Sequence, residues 1–244
     1  MIKSLTIIII KFFDYFYQRK MIIFLKKKGL NKLDTLFDVG GHKGETIELF
    51  LKNFLIERII SFEASHINFK NLEKNKINYE KKFKNTQIIT ENICLGAGNK
   101  EMLFKQFDES SSSTLSNINE NSKYYRTKFR FLNFSKKEKV FETFKVKTKT
   151  LNNYIEENAI ESVSFLKIDT EGHEYEILKG LGEKIKFVKT ILFEHHYNDM
   201  IKKEYTFSDI NNLLKKNNFK QVYKAKMPFR RTFEYIYSKN ELLD

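Results

Sequence analysis

The sequence predicts an α/β fold in which a mostly parallel sheet of seven strands is covered by helices on both faces. Three observations support this prediction. Short apolar runs alternate with segments of helical spacing, two strand-like segments close the chain as a hairpin, and 41% of the 244 residues are hydrophobic, which is enough for a core. Alternating strands and helices imply right-handed crossovers and parallel strands, and the closing hairpin adds one antiparallel strand.

The predicted strands cover residues 34–39, 58–62, 86–90, 162–168, 187–193, 219–223 and 232–237. Helices are predicted around residues 47–54 and over 66–81 and 174–179. A further helix follows the fifth strand, where apolar residues recur at helical spacing: Phe207, Ile210, Leu213 and Leu214. Pro228, the single proline, lies in the turn of the closing hairpin.

Residues 1–32 are predicted to form an N-terminal helical arm on a domain that spans residues 33–244. Its apolar side chains recur at three- and four-residue spacings, which is typical of a helix with one apolar face: Ile2, Leu5, Ile9, Phe12, Phe13 and Phe16. The arm also has a net charge of +7. Two interpretations stay open: a helix docked on the domain or in a homodimer interface, and a helix that lies on an anionic membrane surface through residues 1–29.

Composition limits the compartment and the kinds of site. No apolar run approaches the ~18 residues of a membrane span, which argues against an integral membrane protein. The single cysteine, Cys94, excludes an internal disulfide framework and zinc sites built from several cysteines. These observations favour a cytoplasmic protein, with the inner membrane surface as the alternative location if the arm binds lipid.

The net charge of +13 is concentrated at the periphery of the chain. Residues 121–149 carry a net charge of +8 inside a stretch, 97–150, that breaks the alternation of strands and helices. This stretch is too short and too charged to bury its own core, so we interpret it as an insertion at the functional edge of the sheet. Lysine outnumbers arginine 38 to 6, and arginine is the better phosphate and base ligand, which disfavours nucleic acid as a partner.

Polar or glycine-rich elements follow three successive strands, at the edge where open α/β sheets bind ligands. The first is the turn Phe37-Asp38-Val39-Gly40-Gly41-His42-Lys43-Gly44, whose glycines let the backbone approach a ligand. Glu63 ends the second strand, where a carboxylate can accept hydrogen bonds from ribose hydroxyls, and Asn92 follows the third, where an adenine edge would lie. Together they predict an adenosyl ligand. The glycine spacing differs from the dinucleotide pattern, so a nicotinamide cofactor is disfavoured.

The fourth strand leads into Leu166-Lys167-Ile168-Asp169-Thr170-Glu171-Gly172-His173-Glu174. Here the sequence resembles the FkbM-type methyltransferases, a class I family that depends on S-adenosyl-L-methionine, over about residues 34–197. The resemblance is carried by the Asp38–Gly44 turn with Thr46, the Phe62-Glu63-Ala64 strand end, Asn92 with Leu95-Gly96, and above all the acidic signature from Lys167 to Glu174. The family turn more often reads Gly-Ala-Asn-x-Gly, so Gly41 and His42 are departures.

The resemblance implies a Rossmann-like class I methyltransferase sandwich that binds S-adenosyl-L-methionine. It implies that Asp38 and Gly40 hold the methionine end, that Glu63 binds the ribose and that Asn92 lies near adenine. Further expected cofactor contacts are Gly41, Gly44, Thr46, Ala64 and Asp169. Asp169 and Glu171 are expected where the methyl donor and the acceptor meet.

A hydroxyl acceptor must lose a proton, so a general base is expected beside it. The candidate catalytic residues are Asp169, Glu171, His173, Glu194 and His195, with His196 adjacent. Alternatively, Asp169 and Glu194 hold a magnesium ion that acidifies the hydroxyl. Structural interpretations stay open for the histidines, and for Glu174 as an acid at a helix N-terminus.

The leading hypothesis is an O-methyltransferase for a hydroxyl on a sugar, a glycan or another small molecule. The aromatic and basic residues of the insertion favour an anionic, ring-bearing acceptor such as a nucleotide-linked or lipid-linked sugar: Lys123, Tyr124, Tyr125, Arg126, Lys128, Phe129, Arg130, Phe131 and Phe134. Two alternatives are a methyltransferase for RNA or another nucleic acid, and a non-catalytic membrane-associated module.

Overall fold

The computed structural model of the chain describes residues 2–107, 112–132 and 141–239, and it describes residues 2–12, 15 and 128–132 by their backbone alone. The strands, in chain order, are β1 (Lys32–Val39), β2 (Leu55–Phe62), β3 (Gln87–Glu91), β4 (Cys94–Leu95), β5 (Glu101–Phe107), β6 (Asn117–Ile118), β7 (Phe141–Lys149), β8 (Val163–Ile168), β9 (Val188–His196), β10 (Ile201–Lys202), β11 (Lys220–Lys226) and β12 (Thr232–Ser238). The helices are α1 (Ile2–Lys27), α2 (Glu45–Leu51), α3 (His66–Lys82), α4 (Lys123–Leu132), α5 (Leu151–Glu157), α6 (Glu174–Lys179) and α7 (Phe207–Lys216), with a 3₁₀-helix at Gly182–Phe187.

Seven strands form one sheet in the order β11-β12-β9-β8-β1-β2-β3. The five strands from β9 to β3 are parallel to one another, whereas β12 runs antiparallel between β9 and β11. The predicted sheet, mostly parallel with a C-terminal antiparallel hairpin, is therefore confirmed. The strand order reverses between β1 and β8, so the carboxyl ends of these two strands flank the crevice where such sheets bind ligands.

An apolar layer covers each face of the sheet. Phe37 of β1 packs on one face with residues of α5, α6 and α7, whereas Leu36 packs on the opposite face with residues of α1, α2 and α3. β8 lies in the middle of the sheet and is buried from Val163 to Leu166. A strand that is covered on both faces can be apolar at consecutive positions, which explains the continuous runs in the sequence.

The insertion at residues 97–150 contains a small sheet of its own. β5 pairs antiparallel with β7, and β4 runs parallel to β7. The strand β7 and the helix α4 were not predicted from the sequence, because their apolar residues are interrupted by lysines and arginines. Cys94, Phe104 and Leu115 form a small apolar cluster beneath this sheet. Of the run of four serines at residues 110–113, only residues 112 and 113 lie within the described ranges.

The predicted N-terminal arm is the helix α1. In its second half, Met21, Ile22 and Leu25 are buried in the layer that also contains α2. The Tyr17 hydroxyl donates a hydrogen bond to the carbonyl of Ala225 at 3.0 Å. The arm is therefore docked on the domain, while the side chains of the predicted apolar face up to Phe12 lie outside the described residues. Contact with a membrane surface and a homodimer stay predictions.

Among the helices that the structure describes, none combines the length and the apolar character needed to cross a membrane.

Replacing Leu25 with alanine is expected to lower the free energy of unfolding by about 2–5 kcal/mol, because the side chain is fully buried and its removal leaves a cavity. Ile23→Ala is the matched control, since Ile23 lies on the same helix and is 43% exposed. Urea unfolding followed by circular dichroism measures both variants. Equal stabilities of the two variants would contradict the docking of α1.

Candidate active site

The turn after β1 packs its backbone directly against the loop after β8. Gly40 has a φ of 83°, and the amides of Gly40 and Gly41 both donate hydrogen bonds to the carbonyl of Phe62, at 2.9 and 3.0 Å. A Cβ atom at Gly40 would lie 1.9 Å from the carbonyl oxygen of Asp169. Only glycine therefore permits this approach of the two strand ends.

A buried lysine joins the carboxylates at the ends of β1 and β8. The Nζ atom of Lys167 lies 3.3 Å from an oxygen of Asp38 and 3.3 Å from an oxygen of Asp169. The other oxygen of Asp38, which is fully buried, accepts a hydrogen bond from the Ser61 hydroxyl at 2.9 Å. Burial alone would lower the pKa of Lys167, but the two carboxylates raise it overall, so the ammonium group stays charged.

The structure thus brings Asp38 and Asp169 together, as the sequence predicts. Lys167 was not predicted as a site residue, although it stands within the acidic signature.

Glu63, at the end of β2, is 6% exposed and faces the same turn. Its two oxygens accept hydrogen bonds from the amides of His42, at 2.7 Å, and Ser65, at 2.8 Å. Burial raises the pKa of the Glu63 carboxyl, and these two amides oppose the rise. The carboxylate is therefore fixed in place beside the glycine turn.

The other predicted cofactor residues surround this turn. The side-chain amide nitrogen of Asn92 donates a hydrogen bond to the backbone carbonyl of Glu63 at 2.7 Å and lies 3.4 Å from the carbonyl oxygen of Ala64. Asn92 therefore stabilises the chain at the end of β2. Gly44 has a φ of 93° and begins α2, whose first turn contains Thr46. The contacts of these residues with a cofactor stay predictions.

We call the group formed by Asp38, Lys167 and Asp169 at the carboxyl ends of β1 and β8 the charged edge. Two further carboxylates extend this group toward β12. Glu194 on β9 and Glu234 on β12 are register partners, so both side chains leave the sheet on the same face. Burial, followed by the carboxylates of Asp169 and Glu234, raises the pKa of Glu194. Burial raises the pKa of Glu234 to about 7. Arg230, in the turn before β12, forms an ion pair with Asp14 of α1 at 3.1 Å.

Sequence reasoning found Glu194 but missed Glu234 and Arg230, which belong to no motif.

Glu171 contacts the second of the two adjacent histidines. An oxygen of Glu171 lies 3.3 Å from Nε2 of His196, and Nδ1 of His196 lies 3.1 Å from the Thr232 hydroxyl. Glu171 has a positive φ of 51°, a conformation that few residues with a side chain adopt. A strained backbone and a fixed carboxylate at a ligand-binding edge are typical of a functional residue.

The two other histidines, His173 and His195, are buried. His195 leaves β9 on the face opposite to Glu194, and its ring packs against aromatic residues that include Tyr197 and Phe207. Burial and the nearby Lys203 lower the pKa of His195 to about 3.

His173 stands at the N-terminus of α6, and its ring packs against Gly96. Burial lowers the pKa of His173 to about 4. The catalytic roles of His173 and His195 stay predictions.

Glu174 has a structural role in the loop after β8, which contains residues 169–174 of the acidic signature and which we call the signature loop. It is fully buried, and one of its oxygens accepts a hydrogen bond from the amide of Gly172 at 2.9 Å and lies 3.3 Å from the amide nitrogen and the hydroxyl of Thr170. Its other oxygen accepts a hydrogen bond from the Tyr205 hydroxyl at 2.6 Å. Glu174 therefore ties the loop to the first turn of α6, which supports its interpretation as an acid at a helix N-terminus.

The insertion contacts the outer side of the same loop. The Thr114 hydroxyl donates a hydrogen bond to the carbonyl of Glu171 at 2.7 Å, and the Ser116 hydroxyl donates to that of Gly172 at 2.8 Å. These contacts place the insertion at the functional edge of the sheet, as the sequence predicts.

No group of three or more histidine, cysteine, aspartate or glutamate side chains within the described ranges is arranged to hold a metal ion. The alternative of a magnesium ion between Asp169 and Glu194 therefore gains no support from the arrangement. The positive charge beside Asp169 is the ammonium group of Lys167.

Tyr205→Phe is expected to lower the free energy of unfolding by about 1–3 kcal/mol, because the buried carboxylate of Glu174 loses a donor. Tyr175→Phe is the matched control: its ring packs against Tyr205 at 5.2 Å, and Glu174 keeps its hydrogen bond. Urea unfolding compares the variants. An equal effect of the two substitutions would show that the hydrogen bond does not stabilise the loop.

Comparisons with known proteins agree with this geometry. Residues 38–221 match the family described as the methyltransferase FkbM domain. The chain is similar to the solved structure of a methyltransferase FkbM from Methylobacillus flagellatus KT, with 14% identity and a TM-score of 0.56 over 84% of this chain and 43% of that one. It therefore spans less than half the length of that relative. A search of curated proteins found no match.

The chain is also similar to magnesium protoporphyrin IX methyltransferase (ChlM) from Synechocystis PCC 6803. The structure of that enzyme with bound SAM gives 9% identity and a TM-score of 0.50 over 92% of this chain and 78% of that one. The structure with bound SAH gives 9% identity and a TM-score of 0.52 over 95% and 85%. At these identities the likeness shows the Rossmann-like class I methyltransferase fold. Because the family match covers most of the sequence, from Asp38 past the acidic signature, the chain belongs to the FkbM methyltransferase family.

Proposed function

We propose that the protein transfers the methyl group of S-adenosyl-L-methionine to a hydroxyl of a sugar, a glycan or another small molecule. The observation that carries this proposal is the convergence of Asp38, Glu63 and Asp169 at the carboxyl edge of the sheet, where the strand order reverses. Open α/β sheets bind their ligands in this crevice.

The residues at this edge fit the donor. The buried Oδ1 of Asp38 lies 3.3 Å from the ammonium group of Lys167 and makes no hydrogen bond within the described residues, so it keeps a lone pair for the ammonium group of the methionine part. Each oxygen of Glu63 accepts one amide hydrogen bond and keeps a second lone pair for a ribose hydroxyl. When bound, the donor supplies an electrophilic methyl group on a positively charged sulfur that departs as a neutral thioether.

The residues of the chain then have two tasks, to orient the acceptor and to remove its proton. Positioning alone contributes up to about 7–11 kcal/mol to such a displacement. Glu174 holds the signature loop, so the carboxylates of Asp169 and Glu171 have fixed positions. Asp169 is paired with Lys167, whereas Glu171 is oriented by His196. Glu171 is therefore the favoured general base.

The basic insertion supports an anionic acceptor such as a nucleotide-linked or lipid-linked sugar. Lys123, Tyr124 and Arg126 stand on α4, and Tyr124 is near enough to influence the pKa of Arg230 at the charged edge. An acceptor held by Lys123 and Arg126 would extend along α4 toward this edge. The side chains of Lys128 and Arg130 lie outside the described residues.

Isothermal titration of the wild-type protein with S-adenosyl-L-methionine, S-adenosylhomocysteine and NAD tests the cofactor. We expect the first two to bind at micromolar concentrations and NAD not to bind. Glu63→Ala is expected to weaken S-adenosyl-L-methionine about 10- to 100-fold, because a charged acceptor of the ribose hydroxyls is lost. Glu57→Ala, an exposed carboxylate near the opposite end of β2, is the control. A folded wild-type protein that binds neither adenosyl compound would overturn the proposal.

Transfer of a labelled methyl group to a panel of sugars and nucleotide-linked sugars tests the acceptor. On any substrate found, Glu171→Gln is expected to reduce kcat about 10²- to 10⁴-fold, the usual effect of losing a general base, with little change in donor affinity. Glu142→Gln, a carboxylate on β7, is the control. A Glu171→Gln variant with normal kcat would exclude Glu171 as the base.

A further inference from the structure

The β9–β12 side of the charged edge contains a buried carboxylate, Glu234, with one oxygen that lacks a hydrogen-bond partner. Glu234 is 8% exposed, and its Oε2 atom has no hydrogen-bond partner within the described part of the chain. It lies directly across the register from Glu194, on the face that also carries Asp38 and Lys167. A buried, unpartnered carboxylate oxygen costs free energy unless a ligand supplies the missing donor.

The two cations near this pair are engaged with other carboxylates. Lys167 lies 3.3 Å from Asp38 and 3.3 Å from Asp169. Arg230 forms its ion pair with Asp14 of α1 at 3.1 Å. No ion pair to either glutamate is formed by the described residues. A positive group from outside the chain would therefore find two carboxylates on one face of the sheet.

The pKa values of both carboxyls are raised, as expected for two buried carboxylates that lack a bound cation. Burial, and the carboxylates of Asp169 and Glu234, raise the pKa of Glu194. Burial raises the pKa of Glu234 to about 7, although Tyr17 and the cations Lys167 and Arg230 oppose the rise. Each carboxyl therefore keeps its proton to a higher pH than an exposed glutamate does. A bound cation would favour the ionised pair and release that proton.

We propose that Glu194 and Glu234 bind a protonated amino group of the methyl acceptor, next to the hydroxyl that is methylated. The acceptor class is then an amino alcohol, such as an amino sugar. This inference rests on the proposed methyl transfer. It draws on a residue outside the family match, since Glu234 lies beyond residues 38–221. The arm contributes the Tyr17 hydroxyl, which interacts with Glu234.

Sinefungin tests this subsite without knowledge of the acceptor. It is an analogue of S-adenosyl-L-methionine with a carbon bearing an amino group in place of the methylated sulfur, so it presents an ammonium group where the methyl group would be. Calorimetry compares its affinity with that of S-adenosylhomocysteine, which lacks this charge. The full chain is used as wild type and as Glu194→Gln, Glu234→Gln and Glu57→Gln, the last removing one exposed charge near the opposite end of β2.

We expect the wild-type protein to prefer sinefungin, and each of Glu194→Gln and Glu234→Gln to weaken sinefungin about tenfold, the effect of one lost charged hydrogen bond, without weakening S-adenosylhomocysteine. Titration in buffers of different ionisation enthalpy should show release of up to about one proton with sinefungin and none with S-adenosylhomocysteine. Glu57→Gln should behave as wild type.

The proposed subsite would be overturned if Glu194→Gln and Glu234→Gln both kept the wild-type affinity for sinefungin. It would also be overturned if the variants lost affinity for sinefungin and for S-adenosylhomocysteine equally. If the folded wild-type protein binds neither sinefungin nor S-adenosylhomocysteine, the proposed methyltransferase function is overturned instead. If one variant fails to fold, the other still decides between these outcomes.

Discussion

The ion triad of Lys167 with Asp38 and Asp169 is the constraint on which the candidate site depends. Asp38 is fully buried and the Lys167 side chain is 12% exposed, so neither charge can be satisfied by bulk water. Breaking a buried pair by removing one partner costs about 3–5 kcal/mol, because it leaves an uncompensated charge. The ends of β1 and β8 must therefore stay together, at the place where the strand order opens the crevice.

The signature loop is consequently held from three directions. On the side of the turn after β1, Gly40 packs against the carbonyl of Asp169. From α6, the buried carboxylate of Glu174 accepts a hydrogen bond from the amide of Gly172. From the insertion, Thr114 and Ser116 donate to loop carbonyls. A loop fixed in this way presents the carboxylate of Glu171 at a defined position, which is what a displacement that depends on alignment requires.

The sheet and the donor side of the site could be predicted from sequence, because strands in the interior give apolar runs and their carboxyl ends meet at one edge whatever the loops do. Glu63 was found on that ground, and Asp38 and Asp169 were found through the resemblance to the family. The alternation along β9 already puts His195 and His196 on opposite faces of the sheet, and His195 shares its face with the core residue Phe193. The ion pair of Asp14 with Arg230 could not be predicted, because the two residues are 216 positions apart.

This long-range pairing connects the arm to the charged residues of the candidate site. Phe13 packs edge-to-face on Phe229 at 5.0 Å, next to Arg230, so α1 fixes the turn that carries the guanidinium group. The same helix buries Glu234, and burial is the largest cause of its raised pKa. Without α1, water would reach this carboxyl, its pKa would fall toward the ordinary value, and Arg230 would lose its partner Asp14. The charge balance of the β9–β12 side is thus set by a helix that lies outside the family match.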